Sequence, residues 1–376
     1  MAIAVVDPSQ YEQQLAEKAE QTRARFAAFD APELEVFPSP PSHYRMRCEF
    51  RIWHEDDDLY YAMFEVEFDD EGNKKKTVVR MDDFPVASQR INELMPLLRE
   101  RLKASPVLRE RLFQCEFLTT LSGEALVTLI YHRKLGEDWE AEARALEEEL
   151  DIMIIGRSRK QHIVLTRDHV FERLEVDGRE YVYQQVENSF TQPNAEICRS
   201  MLSWARDVTH PDKAQAEGRE QGDLVELYCG NGNFTIALAE NFRRVLATEI
   251  SRTSVASAQV NLAANSIDNA QVARMSAEDF SLALAGEKAG RRVAEMDLDN
   301  HDFRTVLVDP PRAGLDADSC EQTARYERIV YISCNPQTLI DNLEVLCRTH
   351  RIERFALFDQ FPYTDHLECG VYLVRR

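Results

Sequence analysis

The sequence predicts an α/β fold whose C-terminal half is a Rossmann-like, doubly wound, mostly parallel sheet and whose N-terminal half is α+β. After Phe190, short apolar runs alternate with helical patterns, as in βαβ units. Before it, strand-like segments come in pairs joined by turn residues such as Ser122-Gly123. A Gly-x-Gly loop follows the first strand of the second half. We therefore expect two domains, 1–190 and 191–376.

The N-terminal half is expected to begin with an amphipathic helix over 9–29, which is rich in Ala, Glu and Gln. Apolar and polar residues then alternate over 45–68, which indicates strands around an acidic turn at 55–58, and Glu71-Gly72-Asn73 marks a further turn. The other elements expected here are a helix over 86–104, strands near 113–121 and 125–132, a helix over 138–149, strands 152–155 and 163–165, and a hairpin closed by Asp177-Gly178.

The C-terminal half is expected to begin with a helix over 193–208, and a charged loop interrupts it over 284–302. Strands are expected at 223–228, 244–249, 271–274, 305–308 and 328–333, and helices at 233–241, 252–265, 318–325 and 336–348. The last two strands, 352–359 and 370–375, predict an antiparallel end to the sheet.

The formal net charge of −21 argues against a nucleic-acid partner, because phosphates repel a negative field. Two stretches depart from that average. Residues 43–54 carry Arg45, Arg47 and Arg51 with aromatic residues between them, and residues 156–162 are basic without an acid. Each stretch fits either a local RNA-binding surface or an ordinary solvated strand.

The chain shows no signal for a membrane or a metal. No apolar run reaches the roughly 18 residues that a membrane helix needs, and the first ten residues lack the basic and apolar regions of a secretory signal. None of the eight cysteines forms a C-x-x-C pair. We therefore expect a cytoplasmic protein without a metal, kept in a reducing compartment.

A candidate cofactor loop follows the expected strand 223–228. The loop reads Cys-Gly-Asn-Gly-Asn-Phe-Thr, with Gly230 and Gly232 allowing a close backbone approach to a ligand. Thr235 stands where a dinucleotide fingerprint has its third glycine, and Glu249 ends the next strand, where a carboxylate can accept both ribose hydroxyls. This combination favours S-adenosylmethionine over NAD.

Three further segments point to methyl transfer to carbon. Asp309 opens an Asp-Pro-Pro-Arg turn, in which Arg312 replaces the aromatic residue that enzymes methylating exocyclic amines commonly use. Cys334 lies between a strand and a helix N-terminus, where we expect a lowered thiol pKa. Glu368 precedes the last strand. A nucleophile and a base on neighbouring strand ends can activate and then restore a poorly reactive ring.

The segments LYCGNGNFT, VDPPRAG, YISCNP, DQFPYTDHLECGVYL, FTQPN and RCEFRIWH, taken together, closely resemble the RNA uracil-5 methyltransferase family, and within it the members that act on tRNA. The resemblance covers most of the chain. It implies Cys334 as the nucleophile and Glu368 as the base that removes the proton. It also implies a set of residues that bind S-adenosylmethionine: Gln192, Tyr228, Asn233, Glu249 and Asp309, with Asp309 also near the target base.

The resemblance further implies an N-terminal RNA-binding domain, a methyltransferase domain over 191–376 and uridine 54 of the tRNA T-loop as the target, with other T-loop-like RNAs as candidate partners. Ribosomal-RNA members usually carry an N-terminal iron–sulfur cysteine cluster, whereas only Cys48 and Cys115 precede residue 190 in this chain. Three alternatives remain open: a ribosomal-RNA enzyme without a cluster, a small-molecule methyltransferase, and an RNA-folding chaperone that keeps the fold without the chemistry.

Overall fold

The computed structural model describes residues 5–68, 74–216, 218 and 220–376, so the turn expected at Glu71-Gly72-Asn73 lies outside the described residues. The helices in the described residues are α1 (Tyr11–Phe26), α2 (Gln89–Ala104), α3 (Pro106–Arg109), α4 (Glu137–Leu150), α5 (Ala195–Val208), α6 (Pro211–Ala216), α7 (Asn233–Leu238), α8 (Arg252–Ala264), α9 (Ala277–Leu284), α10 (Arg291–Glu295), α11 (Ala317–Thr323) and α12 (Pro336–Leu346). None of them is long and apolar enough to cross a bilayer.

The strands in the same residues are β1 (Leu34–Phe37), β2 (Arg47–Glu55), β3 (Asp58–Phe68), β4 (Lys74–Met81), β5 (Leu112–Thr119), β6 (Ala125–Tyr131), β7 (Met153–Ser158), β8 (Gln161–Val164), β9 (His169–Val176), β10 (Arg179–Val186), β11 (Asp223–Leu227), β12 (Val245–Glu249), β13 (Ala270–Arg274), β14 (Phe303–Val308), β15 (Arg328–Ser333), β16 (His350–Phe358) and β17 (Glu368–Arg375). The sequence did not predict β1 or β4, and the loop expected over 284–302 contains the short helix α10.

The second half of the chain is built on an eight-stranded sheet in the order β1-β16-β17-β15-β14-β11-β12-β13. Every neighbouring pair is parallel except the two that β17 makes with β15 and β16. Successive strand residues point to opposite faces. Leu224 lies in a core with α5, α7 and α8, whereas Val225 lies in a core with α1, α9, α11 and α12. The predicted doubly wound, mostly parallel sheet is therefore confirmed.

The seven-stranded sheet, in the order β4-β3-β2-β5-β6-β7-β8, belongs to the first half. It is antiparallel except for the pair β6–β7. One apolar face packs on α2 and α4, with Ile91, Leu98 and Trp139 fully buried against it. This agrees with the α+β character expected for the N-terminal half.

The first helix and strand pack with the second sheet although they begin the chain. β1 is the edge strand beside β16, with Leu34 opposite Phe355. Helix α1 buries Leu15 and Phe26 in the core on the same sheet. Residues 11–37 therefore pack with the C-terminal sheet, α1 against its face and β1 at its edge, and a domain boundary near residue 190 remains a prediction.

The hairpin β9–β10 is attached to the second half through asparagine side chains. Asn265, which follows α8, accepts a hydrogen bond from the Val182 amide at 2.9 Å and donates one to its carbonyl at 2.7 Å. Asn261 accepts from the Gln184 amide at 2.6 Å, and Asn231 of the glycine loop donates to the Gln184 carbonyl at 3.2 Å. These amides satisfy backbone groups that a strand edge would otherwise expose, and they tie the hairpin to the loop after β11.

Candidate active site

The predicted site residues meet at one edge of the eight-stranded sheet. Tyr228, Asp309 and Cys334 each follow a parallel strand, and Glu249 ends one. Glu368 begins β17, which runs the opposite way, so its first residue lies at the edge where the parallel strands end. Ligands of open α/β sheets bind outside the carboxyl ends of the strands, and we call this group of residues the carboxyl edge.

The strand register keeps these residues adjacent. The residue pairs next to the edge are Leu227–Thr248, Leu227–Val308, Val308–Tyr331 and Ser333–Cys369. The site residues lie next to these pairs in the chain, so Cys334 and Glu368 extend from neighbouring strands.

The loop after β11 has the backbone form that the Gly-x-Gly pattern predicts. Gly230 and Gly232 have φ of 55° and 82°, in the left-handed region that glycine adopts without strain. Tyr228 also has a positive φ, 64°, although it is not a glycine. Burial raises the pKa of the Tyr228 phenol. The loop therefore turns sharply at the end of its strand and leaves its backbone open to a ligand.

The Glu249 carboxylate holds the backbone of this loop. Its Oε2 accepts a hydrogen bond from the Gly230 amide at 3.0 Å, and its Oε1 accepts one from the Ser251 amide at 2.7 Å. A carboxylate can accept about four hydrogen bonds in all. The side chain therefore retains acceptor capacity for two hydroxyl groups.

Asn233 begins α7 and offers a free donor. Its Oδ1 accepts from the Cys198 thiol at 3.4 Å, and its carbonyl accepts from the Tyr183 hydroxyl at 3.0 Å. Its Nδ2 is buried and finds no hydrogen-bond partner within the described ranges. A buried amide donor without a partner lowers the stability of the folded protein. A ligand that accepts a hydrogen bond from Asn233 Nδ2 would remove that cost.

Gln192 lies in the loop before α5, where its Oε1 accepts a hydrogen bond from Gln360 Nε2 at 2.6 Å. Gln360 is fully buried, and its Oε1 has no partner among the residues described. Sequence reasoning did not select Gln360, although it lies in the segment DQFPYTDHLECGVYL. It lies two residues after Phe358, the residue of β16 that pairs with Glu368 on β17.

Cys334 joins β15 to α12 and is half-buried. Asn335 caps the helix, since its Oδ1 accepts from the Gln337 amide at 3.1 Å. The expected lowering of the thiol pKa is wrong: burial, followed by the charges of Glu368 and Asp309, raises the pKa of Cys334 to about 11. Burial and these two carboxyl groups, which lie far from Cys334 in the sequence, outweigh the helix N-terminus.

Glu368 is a buried carboxyl group and Asp309 a half-buried one, and the pKa of each is raised. Glu368 is 6% exposed, and its Oε2 has no hydrogen-bond partner in the described chain. Burial, reinforced by the charge of Asp309, raises the pKa of Glu368 well above its usual range. Burial also raises the pKa of Asp309 to about 7. A group tuned in this way is suited to proton transfer near neutral pH.

The seven-stranded sheet carries a group of cationic and aromatic side chains. The Arg51 guanidinium lies 3.4 Å from the centre of the Phe113 ring, and Phe113 stacks on His132 with ring centres 3.9 Å apart. Arg133, Lys134, Arg159 and Lys160 line a cleft with His132. We call Arg51, Phe113, His132 and these four residues the cationic face.

Arg45 and Arg47, from the basic stretch 43–54, and Arg157, from the basic stretch 156–162, are engaged within the protein. Arg45 Nε donates to the Arg47 carbonyl at 2.8 Å, and Arg47 donates to the Ser189 carbonyl at 2.6 Å. Arg157 forms two hydrogen bonds with the buried carboxylate of Glu187, at 2.6 and 2.5 Å. Its charge is therefore compensated, and an RNA-contact role for Arg157 has no support in this geometry.

Comparison with known proteins gives concordant results. Residues 10–376 match the family model described as tRNA (Uracil-5-)-methyltransferase. The chain is 72% identical over 376 residues to a protein of Chromohalobacter salexigens named tRNA/tmRNA (uracil-C(5))-methyltransferase, and covers 98% of it. A Vibrio atlanticus protein of the same name is 54% identical, with full coverage of both chains.

A solved structure is similar in fold. The Pyrococcus abyssi tRNA (uracil-54, C5)-methyltransferase, in complex with S-adenosyl-L-homocysteine, matches with a TM-score of 0.69 and 22% identity, covering 97% of this chain and 83% of that one. The fold is thus found in a distant protein as well.

Proposed function

This chain belongs to the tRNA (uracil-5-)-methyltransferase family, and on that basis we propose that it transfers a methyl group from S-adenosylmethionine to C5 of a uridine in the tRNA T-loop. Uridine 54 is the target that the family resemblance implies, and tmRNA, named for the relatives, is a further candidate substrate. The observation that carries the proposal is a thiol on one strand and, on the neighbouring strand, a buried carboxyl group whose Oε2 has no partner among the described residues. Both strands belong to the sheet that carries the glycine loop.

The carboxyl edge fits S-adenosylmethionine. Glu249 keeps acceptor capacity for ribose hydroxyls, and the left-handed glycines leave the backbone accessible. The unpartnered Asn233 Nδ2 supplies a donor for a ligand acceptor. Gln192, Tyr228 and Asp309 complete the set of residues that would hold the cofactor. When bound, S-adenosylmethionine supplies an electrophilic methyl group to C5 of the base.

Cys334 begins the chemistry because C5 of uracil is too weak a nucleophile by itself. The Cys334 thiolate adds to C6, and the electron pair of the C5–C6 double bond moves toward C5 and O4, which gives an enolate. The target uridine must leave its stacked surroundings to reach the thiol. The raised pKa of Cys334 means that the thiol must lose its proton before addition.

Glu368 completes the chemistry. After C5 is methylated it carries both a methyl group and a hydrogen, and the Glu368 carboxylate removes that hydrogen as a proton. The C5–H electrons re-form the C5–C6 double bond, the bond from C6 to Cys334 Sγ breaks, and the thiolate is restored. Burial beside another carboxyl group makes Glu368 basic enough for this step.

We assign RNA binding to the seven-stranded sheet. The cationic face offers a guanidinium stacked on a ring, which suits phosphate contact and base stacking together. Residues 1–190 would then supply RNA contacts and residues 191–376 the chemistry, except that α1 and β1 pack with the catalytic sheet. Each cysteine in the described part is free, which supports a cytoplasmic, reducing location.

Purified protein incubated with unmodified tRNA and methyl-labelled S-adenosylmethionine tests the proposal. Digestion of the RNA should place the label in 5-methyluridine of the T-loop, and tmRNA should be labelled in its tRNA-like part. Label in a ribosomal-RNA fragment but not in tRNA would favour the alternative target class. No transfer to any RNA would contradict the activity.

A further inference from the structure

A buried carboxylate opens the loop that leads to Glu368. Asp359 directly follows β16 and is fully buried. Its Oδ2 accepts hydrogen bonds from the Tyr11 hydroxyl and Gln14 Nε2, each at 3.0 Å, and its Oδ1 accepts one from Lys18 Nζ at 2.7 Å. All three donors come from α1, and Lys18 lies 341 positions before Asp359 in the chain.

Lys18 connects both ends of this loop. Its ammonium has three N–H groups. Besides Asp359, it donates to the Phe361 carbonyl at 2.9 Å and to the His366 carbonyl at 3.3 Å. His366 stands two residues before Glu368. One side chain therefore fixes the beginning of the loop and the backbone just ahead of the predicted base.

The sequence of α1 explains why these donors act together. Tyr11, Gln14 and Lys18 are spaced i, i+3 and i+7, so they share one face of the helix. That face meets the loop again, because Gln14 Oε1 accepts from the Tyr363 amide at 3.2 Å. The helix face therefore contacts the loop at its start, its middle and its end.

We propose that Lys18 is a positioning residue that sets the place of Glu368 through Asp359 and the His366 carbonyl; this rests on the role proposed above for Glu368. Glu368 Oε2 has no partner of its own within the described ranges, so its backbone and packing determine where the carboxyl group lies. Pairing with Phe358 on β16 fixes the strand side of Glu368, and the Lys18 contacts fix the loop side. A buried ion pair is weak evidence for stability, and its best-attested use is to specify a geometry.

The test separates the methyl-transfer step from the elimination step that releases the methylated RNA from Cys334. Lys18→Met keeps the side-chain length but removes all three donors, and it leaves a buried carboxylate without a cation. The paired variant Lys18→Met/Asp359→Asn removes both charges, so no unpaired charge is left buried in the folded protein. Each variant is mixed with a T-arm RNA and S-adenosylmethionine, and the methyl-transfer rate in a single turnover, the fraction of covalent protein–RNA adduct and the release rate are measured.

For the paired variant we expect methyl transfer within a few fold of wild type and release slower by roughly 10- to 100-fold, the size of effect that a small misplacement of a catalytic group produces. The adduct should accumulate, as we also expect for Glu368→Gln, which lacks the base that removes the C5 proton, and S-adenosylmethionine affinity should stay unchanged. Lys213→Met, which removes a surface lysine paired with Asp207 at 2.8 Å, is the matched control and should leave the release rate and the adduct fraction as in wild type.

The outcomes are distinguishable. Adduct accumulation in Glu368→Gln and not in the paired variant would overturn the positioning role and leave the proposed function standing. Equal slowing of transfer and release in the paired variant would also overturn it, since a general structural defect slows both. No adduct in Glu368→Gln would overturn the role of Glu368 and the positioning role of Lys18 together.

Discussion

The carboxyl edge and the cationic face differ in the kind of charged group they carry and in the surroundings of those groups. At the carboxyl edge, Asp309, Cys334 and Glu368 lie near each other with limited exposure, and burial raises the pKa of each. On the cationic face, the Arg51 guanidinium lies 3.4 Å from the centre of the Phe113 ring. Proton transfer needs groups that are not locked in one charge state, whereas phosphate recognition needs permanent charge in contact with solvent. The two regions should therefore respond to different substitutions.

Cys334→Ala should have the largest effect. Methyl transfer and the covalent RNA adduct should both vanish, because the thiol that adds to C6 is gone, while RNA affinity should stay near that of wild type. Denaturing electrophoresis of protein mixed with labelled RNA measures the adduct. Cys347→Ala, another half-buried cysteine, serves as the control and should form the adduct normally. An adduct in Cys334→Ala would move the nucleophile to another residue, with Cys369 the first to examine.

Glu368→Gln should lower turnover by about 100-fold or more, a typical loss for a general base. It should still add to RNA and methylate it, because the thiol and the glycine loop are intact, so an adduct that survives denaturation should accumulate. RNA with 5-fluorouracil should trap wild type at the same stage, since fluorine does not leave as a cation. Normal turnover by Glu368→Gln would exclude it as the base.

The pH dependence should separate the two regions without any substitution. The reacting forms of Cys334 and Glu368 are deprotonated, and both pKa values are raised, so each reacting fraction increases as pH rises through neutrality. The rate of a single turnover should grow by up to about tenfold per pH unit between about pH 6 and 8. RNA affinity over the same range should not increase. A rate that falls with rising pH would contradict a thiolate and a carboxylate as the reacting forms.

Glu249→Ala should weaken S-adenosylmethionine binding by about 1–3 kcal/mol, the cost of unpaired ribose hydroxyls and a less firmly held loop. Calorimetry without RNA measures the affinity. Glu353→Ala, on β16 at the opposite end of the sheet, should bind as wild type does. Unchanged affinity in Glu249→Ala would remove this residue from the cofactor site.

Arg51→Ala should have the smallest effect, and only on RNA. Affinity should fall a few fold, and the slope of log K against log salt should decrease by about 0.7 to 0.9, as for one lost phosphate contact. Cofactor affinity should not change. Arg51→Lys keeps the charge but not the planar group stacked on Phe113, so it should retain the salt slope while losing part of the affinity. An unchanged slope in Arg51→Ala would mean that no phosphate is bound there.

The positions of Glu249, Asp309, Cys334 and Glu368 could be predicted from the sequence because these residues lie at strand ends. Gln192, Tyr228 and Asn233 were named only from the family resemblance. Once apolar runs locate β11, β12, β14 and β15, the residues after them must share an edge. The strand β1 escaped notice because it has four residues and prolines soon after it. The raised pKa of Cys334 escaped notice as well, since local sequence shows a helix N-terminus but not the carboxyl groups that the fold brings near it.

The contacts of α1 and Asp359 escaped notice for a similar reason. Tyr11 and Asp359 are 348 positions apart, and no local pattern relates them. An amphipathic helix over 9–29 is readable from its spacing, but the surface it covers is not. Gln360 likewise bonds to Gln192 across 168 positions of the chain, and no local pattern relates the two residues.

The packing of α1 and β1 on the last strands also has a consequence in time. A ribosome adds roughly 5–20 residues per second, so the first helix waits about 15 to 70 s before Asp359 has been made. The seven-stranded sheet needs only residues 47–164 and can form during that interval. The catalytic half closes last, when both termini of the chain are available, so a nascent chain can fold the half to which we assign RNA binding before it is able to carry out any reaction.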